Sequence, residues 1–132
     1  MGMVGECTLN ICGDELDFAY IEKTLGLTAT RVIANGQEIT LGRCAPSSIW
    51  SYSKSINEEM PFETVMKEFL KELSVQKSVL QEVSLRYETK IKCYIRSESG
   101  QLGYELDIEA VKLLNDIGLP VEFHILSFGM VE

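Results

Sequence analysis

The sequence predicts an α+β fold in which helices pack against one mainly antiparallel sheet. Residues 61–87 form the longest amphipathic stretch, because apolar residues recur there at the spacing of one helical face: Phe62, Val65, Met66, Phe69, Leu70 and Leu73. Segments that alternate apolar and polar residues flank this stretch on both sides, as half-buried strands do. The element order therefore indicates a ferredoxin-like start (strand-helix-strand-strand-long helix-strand) extended by a C-terminal helix and strand.

The first elements are a strand and a short helix. Residues 6–12 alternate, which places three apolar side chains on one face: Cys7, Leu9 and Ile11. Asp17 is suited to cap a helix over residues 18–25, because its carboxylate accepts hydrogen bonds from free backbone N–H groups. Gly26 is expected to end this helix in the left-handed conformation.

A β-hairpin is predicted next. Asn35-Gly36 separates two β-prone runs, residues 30–34 and 37–41. Asn-Gly is the strongest short signal for a two-residue hairpin turn, because both residues tolerate a positive φ. Residues 42–46 are then expected to form a loop.

The middle of the chain predicts a strand followed by the long helical stretch. In the strand, residues 47–56, Ile49 and Trp50 alternate and cannot both face the core. Pro61 suits the first helical position, because its missing N–H would have no partner there. The apolar stripe weakens half-way along, so the stretch is either one kinked helix or two stacked helices that meet near Ser74.

The C-terminal part repeats the order of strand, helix and strand. Residues 90–96 alternate and direct three apolar residues inward: Ile91, Cys93 and Ile95. A helix over residues 108–117 is expected between an Asp107 cap and a Gly118 stop. The last strand follows Pro120, with Val121, Phe123 and Ile125 on its inner face. A structural repeat and convergent cap chemistry both explain the likeness to the first unit.

Composition limits the class of protein. At 132 residues, with 45% hydrophobic and 24% charged residues, the chain is expected to form a single domain, 1–132. The net charge of −8 disfavours nucleic acid as a partner, because there is no basic excess to release counterions. It is compatible with a basic protein partner, but solubility alone explains it more simply.

Targeting segments and cysteines predict the location of the protein. No stretch has the features of a secretory signal or a membrane span, so a membrane partner is not expected. Cysteines without a secretory signal indicate reduced thiols in the cytoplasm. There are four of them: Cys7, Cys12, Cys44 and Cys93.

The sequence favours binding over catalysis. No cysteines have the spacing of a zinc site and His124 is the single histidine, so neither a metal nor a cofactor is expected. Cys44 beside Arg43 is the one pair in which a guanidinium could activate a thiol. It lacks the signature of a cysteine enzyme, and a thiol without a catalytic role explains it better.

One face of the predicted sheet is a candidate binding surface. Its outward residues are Asn10, Tyr94, Arg96, Glu122 and His124, joined by Trp50 or Tyr52. Aromatic residues beside an arginine are typical of binding surfaces. The alternative is that Trp50 belongs to the core and the rest is a solvated face. The candidate ligand- or partner-binding residues are Arg43, Trp50, Tyr94, Arg96 and His124.

Short motifs along the chain resemble one family. They are Cys12-Gly13-Asp14-Glu15-Leu16-Asp17, the stop Leu25-Gly26-Leu27, the strand around Trp50, and Gly118-Leu119-Pro120 before the last strand. Over nearly the whole chain, the order of these motifs is similar to the bacterial domain-of-unknown-function family numbered four-two-seven-nine. The resemblance implies a cytosolic bacterial domain and supplies no catalytic residues. The chain departs from the family at Ala29, where members often carry proline, and at Asn35, where they often carry a basic residue.

Three functional hypotheses follow. The first is a non-enzymatic protein-binding module; its antidote-like version masks a basic toxin, as small size and a charge of −8 suggest. The alternative is a small-molecule-binding protein or enzyme with a pocket near Trp50 that uses Arg43 and His124. The third is a subunit that pairs through an exposed strand edge, so both a monomer and a homodimer are considered.

Overall fold

The computed structural model describes residues 3–40, 43–44, 46–99 and 103–130. Within them the strands are β1 (Val4–Gly13), β2 (Arg31–Ile33), β3 (Glu38–Thr40), β4 (Arg43–Cys44), β5 (Ser48–Ile56), β6 (Glu88–Ser99) and β7 (Val121–Met130). The helices are α1 (Phe18–Leu25), α2 (Phe62–Val75), α3 (Lys77–Arg86) and α4 (Ile108–Ile117). The predicted α+β class is confirmed. No helix of these residues is both long and apolar enough to cross a membrane.

The main sheet has five strands in the order β2-β5-β1-β6-β7. Strands β2, β5, β1 and β6 are antiparallel to their neighbours, as in a ferredoxin-like sheet. Strand β7 joins β6 in parallel, after the crossover through α4. The predicted ferredoxin-like start and its C-terminal extension are therefore confirmed.

The helices pack on one face of this sheet, which we call the inner face. On it Cys7, Leu9 and Ile11 of β1 are fully buried, as the alternation predicts. The six apolar residues that define the stripe of α2 are buried in the same core cluster. Each is expected to contribute roughly 1.5–3 kcal/mol by leaving water. We call the opposite side of the sheet the open face.

Two helix ends have the predicted chemistry. Asp17 accepts a hydrogen bond from the backbone of Tyr20, and Asp107 accepts one from Ala110. Glycines in the left-handed conformation end both helices. The two strand-helix-strand units nevertheless differ, because β5 lies between β1 and β2 whereas β6 and β7 are direct neighbours. Cap chemistry is therefore shared without a shared sheet connection.

The predicted hairpin around Asn35-Gly36 is wrong. Strand β2 pairs with β5 and not with β3. Strand β3 pairs with β4, which lies inside the stretch expected to be a loop. Gly36 has a φ of +85°, but no non-glycine residue of the described chain has a positive φ, so the turn is not the type that a two-residue hairpin needs. Asn35 instead donates its backbone N–H to Ser48 Oγ and its side-chain amide to the Asp14 carbonyl.

The long helical stretch is two helices, which was one of the two predicted forms. They meet at Gln76, two residues beyond the predicted position. Pro61 has an extended ψ of 162° and is the N-cap of α2, so the helix begins one residue later than predicted. Proline fits this position because its φ is compatible with the helix start and no N–H is lost from the helix.

Candidate functional site

The open face presents a cluster of large side chains at one end of β1, β6 and β7. Arg96 lies directly between Val4 and Leu126, and Tyr94 lies beside His124 in the next row. Val4 is 39% exposed and Leu126 is 51% exposed, although both are apolar. We call Val4, Tyr94, Arg96, His124 and Leu126 the open-face patch.

Two rings form the centre of this patch. Tyr94 and His124 stack with their ring centroids 4.9 Å apart and their planes 18° apart. Their positions follow from the register, because residues paired across β6 and β7 point to the same face. His124 is exposed and Tyr94 is half-buried, so the pair offers an aromatic surface to a partner.

A carboxylate at the border of the patch joins β6 to β7. Glu122 accepts a hydrogen bond from His124 Nε2 at 2.5 Å and lies 3.7 Å from both Lys90 Nζ and Lys92 Nζ. These contacts lower the pKa of Glu122, the hydrogen bond from His124 most of all. Lys90 also lies 3.2 Å from Glu88, which is the main reason that its own pKa is raised.

Small polar residues lie on the open face beside the patch. Thr8 and Ser53 share a hydrogen bond of 2.8 Å, and Ser51 Oγ donates to Asn10 Oδ1 at 3.3 Å. Asn10 faces the predicted side but is nearly buried. It therefore belongs to the floor of the face and not to its exposed surface.

Charge is divided unevenly between the two sides of the molecule. The register and the alternation of β6 place four cationic and four anionic residues on the open face: Arg31, Lys90, Lys92 and Arg96, with Glu6, Glu88, Glu98 and Glu122. This face thus has no net charge in a chain of −8. The excess of carboxylates lies elsewhere, largely on the helices and loops.

Comparison with known families identifies the chain. Residues 3–128 match the family described as Domain of unknown function (DUF4279). The chain belongs to this family. The resemblance seen in the short motifs is thereby confirmed, and the match covers the whole open-face patch. No curated protein and no solved structure matches the chain.

In this DUF4279 domain, Trp50 lies on the inner face. It is fully buried opposite Ile11 and Val32, so the interpretation of Trp50 as a core residue is confirmed. Its Nε1 has no hydrogen-bond acceptor among the described residues. Trp50 therefore cannot contact a partner at the open face.

Tyr52 also faces the helices. Its ring stacks on Phe69 of α2, and its hydroxyl donates to Glu72. Burial and this carboxylate raise the pKa of Tyr52 to about 12. A tyrosine with a raised pKa keeps its proton at neutral pH and is a weak acid, so the pair indicates a structural contact.

The residues proposed to share a pocket are not brought together. Trp50 and His124 lie on opposite faces of the sheet, with β1 and β6 between their strands. Arg43 lies in β4, and its side chain, like that of Cys44, is outside the described part of the chain. A groove of about 250 Å³ between α2 and the segment before α4, and another of about 470 Å³ beside Phe62, are lined by neither Trp50 nor His124.

The two buried cysteines, Cys7 and Cys93, fit a structural role. Cys7 and Cys93 are fully buried and directly opposite in the β1–β6 register, and both donate to Met66 Sδ, at 3.6 and 3.8 Å. The hydrogen bond with Cys93 and burial raise the pKa of Cys7. A buried thiol of raised pKa is unreactive. No group of three His, Cys, Asp or Glu in the described ranges could hold a metal ion.

Two residues of the open-face patch were missed in the sequence. Val4 was missed because the first strand was predicted to begin at residue 6, whereas β1 begins at Val4. Leu126 was missed because the outward residues of the last strand were followed only as far as His124. Extending the two-residue alternation from Asn10 back along the first strand and from His124 forward along the last would have indicated both.

Proposed function

We propose that this domain is a non-enzymatic protein-binding module whose binding surface is the open-face patch. The observation that supports the proposal most strongly is the Tyr94–His124 stack beside Arg96. No carboxylate of the described residues forms an ion pair with Arg96, so its guanidinium is available to a partner. Tyrosine and arginine are enriched among the residues that contribute most to protein–protein binding.

The shape of the patch favours a protein over a small molecule. Small ligands bind mostly in concave pockets, which bury most of their surface. The open-face patch lies on the broad side of a sheet, and the two grooves noted above are lined by other residues. A flat surface with exposed apolar residues at its border, Val4 and Leu126, is better suited to a protein surface.

The antidote-like version of this proposal concerns a different surface. A strongly basic toxin would be drawn to the carboxylates, and most of these are not on the open face. The groove between α2 and the segment before α4 is lined by Glu63, Glu68, Glu105 and Asp107, against Lys67 and Lys71. Binding through this side would be sensitive to salt, whereas binding through aromatic and apolar contacts is much less so.

The test compares capture of partners by matched variants. Tagged wild-type protein, Tyr94→Ala, Arg96→Glu and Lys112→Glu are each incubated with lysate of the source organism at low and moderate salt. Lys112 is an exposed residue of α4, so Lys112→Glu makes the same change in charge as Arg96→Glu away from the patch. Circular dichroism first establishes that all four proteins are folded.

Each outcome has a defined meaning. A stoichiometric partner that binds wild type and Lys112→Glu at both salt concentrations, but is lost with Tyr94→Ala and Arg96→Glu, supports the proposal. A partner retained by both patch variants, or lost at moderate salt alone, contradicts it and favours the antidote-like version. Wild-type protein that captures no stoichiometric partner also contradicts it.

A further inference from the structure

We infer that two copies of this chain pair through the outer edges of their β7 strands, antiparallel about a twofold axis. The two five-stranded sheets would then form one continuous sheet. The pairing itself is independent of the proposed function. It rests on that function only in what the joined open faces would bind.

The outer edge of β7 has the features of a strand that accepts another strand. It is ten residues long, and β6 is its single sheet neighbour among the described strands. Natural edge strands are usually short, or carry charged residues or proline. Strand β7 contains no lysine or proline, and its one acidic residue, Glu122, contacts Lys90 and Lys92 of β6. Ile125 is on the inner face by register, as predicted, yet it is 49% exposed. Around Ile125 the edge therefore offers backbone groups that face no other strand of the described residues, together with exposed apolar side chains.

Symmetry restricts how two β7 strands can pair. A twofold axis normal to the sheet keeps the inner faces of both copies on the same side. Residues directly opposite in an antiparallel pair point to the same face, so only residues of like alternation can meet. The strands must therefore be centred on a single residue that faces its own copy. The exposed stretch of β7 offers three such residues: His124, Ile125 and Leu126.

The side chains favour a centre at Ile125. A centre at His124 opposes two imidazoles and places each Glu122 against the apolar Leu126 of the other copy. A centre at Leu126 leaves Ile125 opposite Ser127. A centre at Ile125 brings the two half-exposed isoleucines together on the inner face and places Leu126 opposite the ring of His124 on the open face. In this register every exposed apolar residue of the segment meets an apolar or aromatic neighbour.

The same register makes β7 complementary to itself. A second copy of this chain therefore fits the edge of β7 better than a foreign strand. A foreign strand would need its own matching apolar residues, whereas this chain supplies them on both sides of the axis. A bulge between Ser97 and Ser99 of β6 interrupts the pairing with β7 beyond Ser127, so the regular part of the contact is short. A contact of this size belongs to the weak class of interfaces, and association is expected to depend on concentration.

Pairing at Ile125 would also join the two binding surfaces. His124 and Leu126 of each copy belong to the open-face patch, and each would lie opposite the other residue in its neighbour. The two patches would become one surface with the twofold axis at its centre. A partner with two-fold symmetry, or with two similar sites, would then bind with both patches at once.

Sedimentation equilibrium across a range of protein concentrations tests the inference. Wild-type protein is expected to shift from monomer to dimer as concentration rises, and Ile125→Lys to remain monomeric because two ammonium groups would meet at the axis. The matched control is Val32→Lys, which places the same lysine at a 40% exposed valine on β2, the opposite edge of the sheet. This control is expected to dimerise as wild type does.

A cross-link tests the register. In a Cys12→Ser and Cys44→Ser background, Ile125→Cys is expected to form an intermolecular disulfide under mild oxidation, because opposite Cα atoms in an antiparallel pair are about 4.5–5.5 Å apart. His124→Cys in the same background is expected to form much less intermolecular disulfide, because position 124 lies opposite position 126 of the other copy.

Four results would overturn the inference. They are a wild type that stays monomeric at every concentration, a dimer that survives Ile125→Lys, loss of dimerisation in Val32→Lys alone, and a stronger cross-link at position 124 than at 125. Arg96→Glu changes a residue of β6 and leaves both the Tyr94–His124 stack and the Glu122 contacts of β7 in place. If this variant loses partner capture but still dimerises, the two proposals are tested separately. Capture without dimerisation of the wild type would overturn the pairing alone, and dimerisation without capture would overturn the binding proposal alone.

Discussion

Asp107 has two roles at the scale of a single residue. Its Oδ1 caps α4 by accepting from the Ala110 N–H at 2.9 Å, and its Oδ2 lies 2.6 Å from Lys67 Nζ of α2. The hydrogen bond from Lys67 is the main cause that lowers the pKa of Asp107, and the same contact raises the pKa of Lys67. The pair connects α4, which precedes the edge strand, to the central helix.

This pair gives a prediction about pH. A carboxyl whose pKa is lowered by folding stabilises the fold above its unfolded pKa of about 3.9, and this stabilisation is lost as the pH falls through the folded value. Asp107→Asn keeps a capping oxygen and removes the charge. We expect its Tm to lie below that of wild type at pH 7, and the difference to disappear in acid, where wild-type Asp107 is protonated.

Thermal melts of both proteins from neutral pH into the acid range measure this effect. The control is Asp17→Asn, the corresponding cap of α1, because Asp17 has no ion-pair partner among the described residues. Its effect on Tm at pH 7 should be the smaller of the two. A difference for Asp107→Asn that stays constant down to the lowest pH would refute the role assigned to the Lys67 contact.

Local chemistry explains which residue roles could be predicted from the sequence. Both aspartate caps and both glycine stops were predictable, because each depends on a few neighbouring residues. The exact place of Arg96 beside Val4 and Leu126 was not, because it depends on a register across three strands. The lack of a hydrogen-bond acceptor for Trp50 Nε1 among the described residues could not be foreseen either, because it depends on how the core packs around the ring.

At the scale of elements, β7 is the strand whose attachment depends most on side chains. Glu122 bridges to Lys90 and Lys92 of β6, and His124 stacks on Tyr94 of β6. Apart from β6, β7 has no neighbouring strand among the described residues. We therefore expect β7 to open locally more readily than β1, which is paired on both sides.

Hydrogen exchange of Glu122→Gln tests this attachment. Loss of the bridging carboxylate is expected to accelerate exchange of β7 amides a few-fold, with no change in β1, because surface ion pairs contribute little each. Glu88→Gln is the control, since Glu88 and Lys90 are both in β6 and their contact does not cross to β7. The measurement uses the Ile125→Lys background, so that pairing between copies does not protect β7. Equal acceleration in both variants would show that Glu122 does not hold the two strands together.

The pairing of short elements was the part of the fold that the sequence predicted least well. The Asn35-Gly36 signal identified a turn but not the partners of the strands beside it. Asn35 hydrogen-bonds with Ser48 and Asp14, which are distant in sequence, and this tertiary contact overrides the local preference for a hairpin. The long stripes of α2 and β1 were predictable because many residues report the same face.

At the scale of the whole molecule, one core cluster includes residues of all four helices and of strands β1, β5 and β6. The single-domain prediction can be tested through this cluster, because Trp50 belongs to it and is the single tryptophan of the chain. We expect the fluorescence of Trp50 and the far-UV circular dichroism to change at the same urea concentration, as in a two-state transition. Two separated transitions would show that part of the chain unfolds independently of the core.

The division of charge has an electrical consequence. Because the open face has no net charge and the remainder of the chain accounts for −8, the molecule has a permanent dipole moment directed across the thickness of the sheet. Near a positively charged matrix or a cationic lipid bilayer, the molecule would rotate until its helices faced that surface, within the range that salt screening allows. The domain would then be displayed in one orientation, with Tyr94 and Arg96 turned toward the solution.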